Sequence, residues 1–233
     1  MTIKINSTKD YGVDGVNILV YGESGNGKTR LCSTSRNPII ISAESGLLSL
    51  ADFDIPAIEV TTVKEINEVY KWIISSEEAE KYETICFDSL TEVAEILLST
   101  FKMEDKDGRK IYPRLDDEMS KTIRAFRNIK KKNKYFTARL FRHKDEYSGK
   151  IMHVPEMPGN RLLNKFPYFF DAFMTLHIGE LKDGKKYRFL QTESDFQYLA
   201  KDRSGKLDLK EKPNLSFLFD KISGITQNKT KEK

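Results

Sequence analysis

Val16-Asn17-Ile18-Leu19-Val20-Tyr21 runs directly into Gly22-Glu23-Ser24-Gly25-Asn26-Gly27-Lys28-Thr29. The first six residues form a short, largely apolar run, as a buried parallel strand does, and Gly22 ends it. The next eight fit G-x-x-x-x-G-K-[ST] at every required position. Glycines let the backbone curl so that successive N–H groups point inward at phosphate oxygens. A helix beginning near Lys28 would add free N–H groups and the positive end of its dipole. Lys28 would reach the β- and γ-phosphates of a nucleotide, and the Thr29 hydroxyl would bind Mg²⁺. The candidate nucleotide-binding set is Gly22, Glu23, Ser24, Gly25, Asn26, Gly27, Lys28, Thr29 and Arg30, with ATP and Mg²⁺ as the expected ligands. A glycine-rich turn with an exposed lysine is the bland alternative.

Outward from this stretch, apolar runs recur at Ile39-Ile40-Ile41, Thr84-Ile85-Cys86-Phe87 and Tyr135-Phe136-Thr137-Ala138. Between them, Ile66, Val69, Trp72 and Ile73 share one helical face, as do Val93, Ile96, Leu97 and Phe101. Leu115, Met119, Ile123, Phe126 and Ile129 make a further stripe. Strands alternating with helices imply an α/β fold with a mainly parallel sheet covered on both faces. Beyond it, Phe173 to Ile178 and Tyr187 to Gln191 flank Asp183-Gly184, a turn between antiparallel strands at the C-terminal end. Residues 1–222 read as one domain and 223–233 as a polar tail.

A phosphate loop alone does not hydrolyse anything. Asp88 ends an apolar strand, and in an open α/β sheet that end faces the ligand crevice. It can hold the metal's water shell, or it can be an ordinary helix N-cap. Glu44 follows the second strand at the same end, where a carboxylate could deprotonate an attacking water; a solvated loop glutamate is the alternative. The candidate catalytic set is Lys28, Glu44 and Asp88, with Thr29 and Asp88 on the metal. A nucleotide kinase would need an arginine-rich lid, and none is identifiable.

The 233 residues carry 39 Lys plus Arg against 35 Asp plus Glu, a net +4 that favours no partner. From Lys121 to Lys144, however, ten residues are basic and none is acidic, and the rest of the chain is net −6. Cations track a phosphate backbone, and aromatic rings offer faces to unpaired bases. The candidates for contact with single-stranded DNA are Lys130, Lys131, Lys132, Lys134, Arg139, Phe141, Arg142 and Lys144, within or beside a loop running from Phe141 to Asn160. A solvated helix face is the alternative for Lys121, Arg124 and Arg127. Two cysteines exclude a disulfide-dense scaffold, and Cys32 and Cys86 read as small core residues. His143, His153 and His177 make no metal-ligand pattern with them. Met1 to Asn6 lacks the apolar core of a signal peptide, and no run approaches the ~20 apolar residues of a membrane span. A soluble, cytoplasmic protein is the expectation.

Gly22 to Thr29, Ile39 to Glu44 and Ile85 to Ser89 together resemble the RecA-like recombinase ATPases. Pro155 to Gly159, Phe170-Asp171 and Ala200 to Asp208 are similar to later motifs of phage nucleotide-binding proteins of the RecA-like single-strand annealing type. The resemblance covers roughly residues 16 to 222. It implies a RecA-like P-loop NTPase core, with Glu44 as catalytic base and Asp88 on the metal. It also implies ATP-dependent annealing or recombination of phage single-stranded DNA in the host cytoplasm, in a homo-oligomer, ring or filament, with ATP at subunit boundaries. A compact basic turn at Lys201-Asp202-Arg203 could present a finger to a neighbour's phosphates, or be a solvated hairpin tip. Where that family usually ends a strand with an amide sensor, this chain has Thr137-Ala138-Arg139, which leaves the sensor open.

Overall fold

The computed structural model describes residue 7 and residues 14–144, 149–159 and 161–225. The apolar run at the phosphate loop becomes β1 (Asn17–Gly22), buried along its whole length. Around it lie β2 (Pro38–Ser42), β3 (Ala57–Glu59), β4 (Thr84–Asp88), β5 (Asn133–Lys144), β6 (Ile151–Pro155), β7 (Ala172–Glu180), β8 (Lys186–Gln191), β9 (Lys201–Asp202) and β10 (Lys210–Glu211). The strand order is β10-β8-β7-β1-β5-β4-β2-β3, with β6 on β5 and β9 on β7. From β7 to β3 every pairing is parallel, whereas β8, β10, β6 and β9 join antiparallel. This is the expected mainly parallel sheet with an antiparallel C-terminal extension. One strand, β5, separates β1 from β4, and the register Gly22↔Arg139 and Ser42↔Asp88 brings these strand ends to one end of the sheet.

The helices form where the apolar stripes recur. α1 (Val63–Ser75) starts at a capping box: Glu65 N–H donates to Thr62 Oγ1 at 3.2 Å and Thr62 N–H to Glu65 Oε2 at 3.0 Å. α2 (Leu90–Glu104) is capped by Ser89, and α3 (Gly108–Arg127) by Asp107. Their buried stripes pack with α4 (Arg161–Phe169) on one face of the sheet, around Phe87, Phe126, Phe136 and Phe170. The opposite face is covered by residues 29–34, 47–50 and α5 (Leu215–Ser223), over Ile18, Val20, Ile40 and Met174. Among the described residues no helix is long and apolar enough to cross a membrane.

The helix expected after the phosphate loop is a correction: Thr29–Thr34 is a single six-residue 3₁₀ segment. Ser33, Thr34 and Ser35 hydroxyls donate to the carbonyls of Arg30, Leu31 and Cys32, three residues back. Those hydroxyls compete for acceptors that an α-helix would give to its own N–H groups. A segment this short adds little helix dipole behind the loop.

Candidate nucleotide site

The loop after β1 has left-handed backbone at Gly25 (φ +79°) and Gly27 (φ +101°), which a side chain would strain. The N–H groups of Gly25, Gly27 and Lys28 donate to no acceptor among the described residues, so they fit phosphate oxygens. Asn26 holds the loop's outer edge: its Nδ2 donates to Leu176 O at 3.0 Å, and its carbonyl accepts from Arg188 Nε at 2.7 Å. The Tyr135 hydroxyl donates to Lys28 O at 2.9 Å from beneath. Lys28 Nζ crosses the loop mouth to Gly22 O (2.9 Å) and Glu23 O (3.0 Å). Burial pulls the Lys28 ammonium below its ordinary range, and the Glu44 and Asp88 carboxylates oppose that shift.

The metal side of the site is equally compact. Thr29 Oγ1 donates to Asp88 Oδ2 at 2.7 Å, and Thr137 Oγ1 donates to Asp88 Oδ1. Burial raises the Asp88 carboxyl against the pull of these two hydroxyls. Ser42, beside Asp88 in register, has a buried hydroxyl without a hydrogen-bond partner. Hard oxygen donors at this spacing suit Mg²⁺, which takes one or two protein oxygens and completes its shell with phosphate and water. The residues present therefore fit the ion.

Glu44 lies at the same end, its Oε1 accepting from Ser89 Oγ at 2.6 Å and 3.4 Å from Arg139 Nε. Arg139 also pairs with Glu92 and, at 3.9 Å, with Glu156. Three carboxylates thus surround one guanidinium. The sequence reading missed Ser89, Glu92 and Glu156 in this role. Glu92 showed only as a first-turn acid of a helix, and Glu156 only inside a late motif. The Thr137/Arg139 question separates structurally: Thr137 engages Asp88, and Arg139 engages Glu44.

Other candidates lie elsewhere. Arg30 holds its guanidinium over Phe53, 5.5 Å from the ring centroid. The basic stretch does not form one patch. Lys134 pairs with Asn17 at the start of β1, whereas Arg139 pairs with Gly22 at its end, about 16 Å along the strand at ~3.3 Å per residue. One of its cations, Lys134, is a correction as a direct DNA contact, and two others hold partners in their own chain. Lys134 is buried, its Nζ donating to Ile129 O (2.9 Å) and Lys132 O (2.8 Å). Lys132 donates to Ala79 O (2.7 Å) and Tyr82 O (2.5 Å), and Arg139 is the clasped cation described above. Lys130 reaches Asp14 at 3.7 Å, and Lys131 is exposed at the same far end. Phe141, Arg142 and Lys144 lie on β5 beyond Arg139, at the site's end of the sheet, and residues 145–148 and 160 of the expected loop fall outside the described residues.

Lys201 and Arg203 sit at the opposite end from their own phosphate loop, because β9 pairs with Ala172 and Phe173, near the start of β7. Lys201 Nζ donates to Pro167 O, and Arg203 bonds Asp171 Oδ1 (3.3 Å) and Tyr168 O (3.2 Å). Asp171 also accepts from the backbone and side chain of Asn17, at 3.0 and 2.9 Å. The turn is exposed but tied down: Asp202 accepts from the N–H groups of Ser204, Lys206 and Leu207. The thiols of Cys32 and Cys86 are both buried.

A phosphate loop on the central strand, its Thr29 bonded to Asp88 from the next strand but one and a carboxylate beside them, defines a P-loop NTPase. More particularly, the chain belongs to the AAA domain family (AAA_24), whose model matches residues 14–204. Among solved structures, the KaiC-like protein PH0186 from the hyperthermophilic archaeon Pyrococcus horikoshii OT3 is similar over 76% of this chain and 78% of that one. Its identity is 13% and its TM-score 0.42. No curated protein matches in sequence.

Proposed function

We propose that this protein is an ATPase that binds single-stranded DNA and promotes strand annealing or recombination. The observation that carries the ATPase part is the convergence of the phosphate loop, the Thr29–Asp88 pair and Glu44 at one end of the sheet. In this reading the free loop amides and Lys28 hold the β- and γ-phosphates, Lys28 giving up its two carbonyl partners to do so. Thr29 and Asp88 would hold Mg²⁺, which when bound would supply positive charge beside the transferred phosphoryl oxygens. Glu44 takes the proton of the attacking water. Support for the DNA part comes from Phe141, Arg142 and Lys144, which rise from β5 next to Arg139. The neighbouring subunit would complete the site in a homo-oligomer, with Lys201 and Arg203 released from their own-chain partners to act as the finger.

A second reading, a nucleotide-gated DNA-binding module with negligible turnover, draws support from Glu44 itself. One oxygen of its carboxylate is engaged by both Ser89 and Arg139. Single-turnover ATP hydrolysis, with and without an oligonucleotide, separates the two. Phosphate release on a catalytic timescale supports the ATPase; ATP that binds and stays intact in both conditions supports the gated module.

A further inference from the structure

Two antiparallel ribbons extend past the phosphate loop. β5 runs on from Arg139, the partner of Gly22, to Lys144 and returns as β6; β7 runs on from Thr175, the partner of Tyr21, to Glu180 and returns as β8. Segment 195–199 ties them together: His153 N–H donates to Gln197 O at 2.6 Å, and Leu199 N–H to His153 O at 3.3 Å. Asp195 fixes that segment by accepting the N–H groups of Gln197 and Tyr198, both at 2.7 Å.

Across this tie a continuous row of rings spans both ribbons. His153 stacks on Tyr198 at 4.5 Å, Tyr198 meets His177 edge-on at 4.5 Å, His177 stacks on Phe189 at 5.0 Å, and Tyr187 follows at 5.8 Å. Burial lowers the His177 imidazole, which favours a neutral ring in the row. Phe196, inside the tie, is 85% exposed, and Tyr187 is 40% exposed. Cations are set on these rings: Lys150 Nζ is 5.6 Å from the Phe196 centroid and Lys210 Nζ is 4.7 Å from that of Phe189. Arg142 pairs with His153 across the first ribbon. Arg188, between Tyr187 and Phe189 in sequence, is the residue that donates to the phosphate loop at Asn26 O.

Exposed rings, as at Phe196 and Tyr187, with a cation beside Phe196, match one chemistry well. Unpaired bases offer flat faces and their phosphates offer anions, whereas a duplex hides its base faces. We propose that the exposed Phe196, together with the ring row that ends at Tyr187, forms a base-stacking surface for single-stranded nucleic acid, distinct from the basic stretch on β5. It rests on the single-strand reading above and assigns it a second set of residues, on β8 and the 195–199 tie. Its link through Arg188 to Asn26 puts strand and nucleotide on neighbouring parts of one element.

The test is fluorescence anisotropy of a labelled oligo(dT) of about 20 nucleotides, longer than the ~4–16 a single such site covers, titrated with the full chain at several salt concentrations. Phe196→Ala is expected to weaken binding about 5- to 100-fold without changing the slope of log K against log salt, and Phe196→Trp to restore it. Lys150→Gln with Lys210→Gln is expected to reduce that slope. Binding of a fluorescent ATP analogue is expected to be unchanged in Phe196→Ala. If the wild type does not bind oligo(dT), the single-strand reading itself fails. If the wild type binds and Phe196→Ala binds equally well, the ring row is not the base surface. Loss of self-association in Phe196→Ala, by mass photometry, with oligo(dT) binding intact would make it an interface between copies and overturn the proposal.

Discussion

Lys28 Nζ bridges two carbonyls of its own loop, Gly22 O and Glu23 O, and the phosphates of a nucleotide would have to take their place. A charge-assisted bond of this kind is worth about 1.5–3 kcal/mol. Lys28→Ala is therefore expected to weaken ATP binding about 10- to 150-fold, read by titration of a fluorescent analogue. Glu44→Gln should leave that affinity within a few-fold, since Glu44 faces the water rather than the phosphates in this account. Lys28, Thr29, Asp88 and Glu44 were legible in the sequence because fixed spacing and strand ends place them. Ser89 as a partner of Glu44, and Glu92 and Glu156 as partners of Arg139, were not. Each of those contacts joins residues 17 or more positions apart, and no local pattern encodes which acid meets which base.

Among the elements, the strands and amphipathic helices followed their apolar runs closely, while the segment after Thr29 did not. Its run of hydroxyl residues looks helical by position and acts against an α-helix by bonding backward. Arg139 connects elements, joining Glu44 after β2 to Glu92 on α2 and Glu156 after β6. If the β5–β6 ribbon senses DNA, this cation carries the signal to Glu44. In Arg139→Ala, the ratio of phosphate release with and without oligo(dT) is expected to fall toward one. Lys134 belongs to the elements too, closing the turn between α3 and β5 with a buried ammonium. Burial pushes it down to about 8 from an ordinary 10.5, against the pull of Asp171 and Asp14. The unfolded chain holds that proton more tightly, so stability is lowered below pH 8 and recovers as pH rises toward 10.5. The full effect is on the order of 3 kcal/mol. Between pH 8 and 9.5, the urea midpoint is expected to rise more steeply in the wild type than in Lys134→Met.

On the scale of the whole molecule, the ten-cation stretch was legible as a charge asymmetry but not as a surface. A linear run that passes through a buried strand is divided between the two ends of the sheet. The antiparallel extension was legible from Asp183-Gly184. The ring row across both ribbons was not, because its members come from residues 153, 177, 187, 189 and 198. Closure of the second face depends on α5, whose buried Asp220 accepts from Arg36 at 2.8 and 2.5 Å. Arg36 is half exposed and can find water when its partner is removed, so Asp220→Ala is expected to cost about 1–2 kcal/mol rather than more. For a chain of this size that lowers the melting temperature by roughly 2–8 °C, measured by calorimetry.

The central claim is that Glu44, Asp88 and the phosphate loop form one hydrolytic site. Phosphate release from ATP and Mg²⁺, measured for wild type and Glu44→Gln with and without oligo(dT), tests it most directly. The account predicts turnover in the wild type, higher with the oligonucleotide, and a drop of about 10²- to 10⁴-fold in Glu44→Gln. Equal turnover in the two proteins, or none in the wild type under either condition, would contradict it.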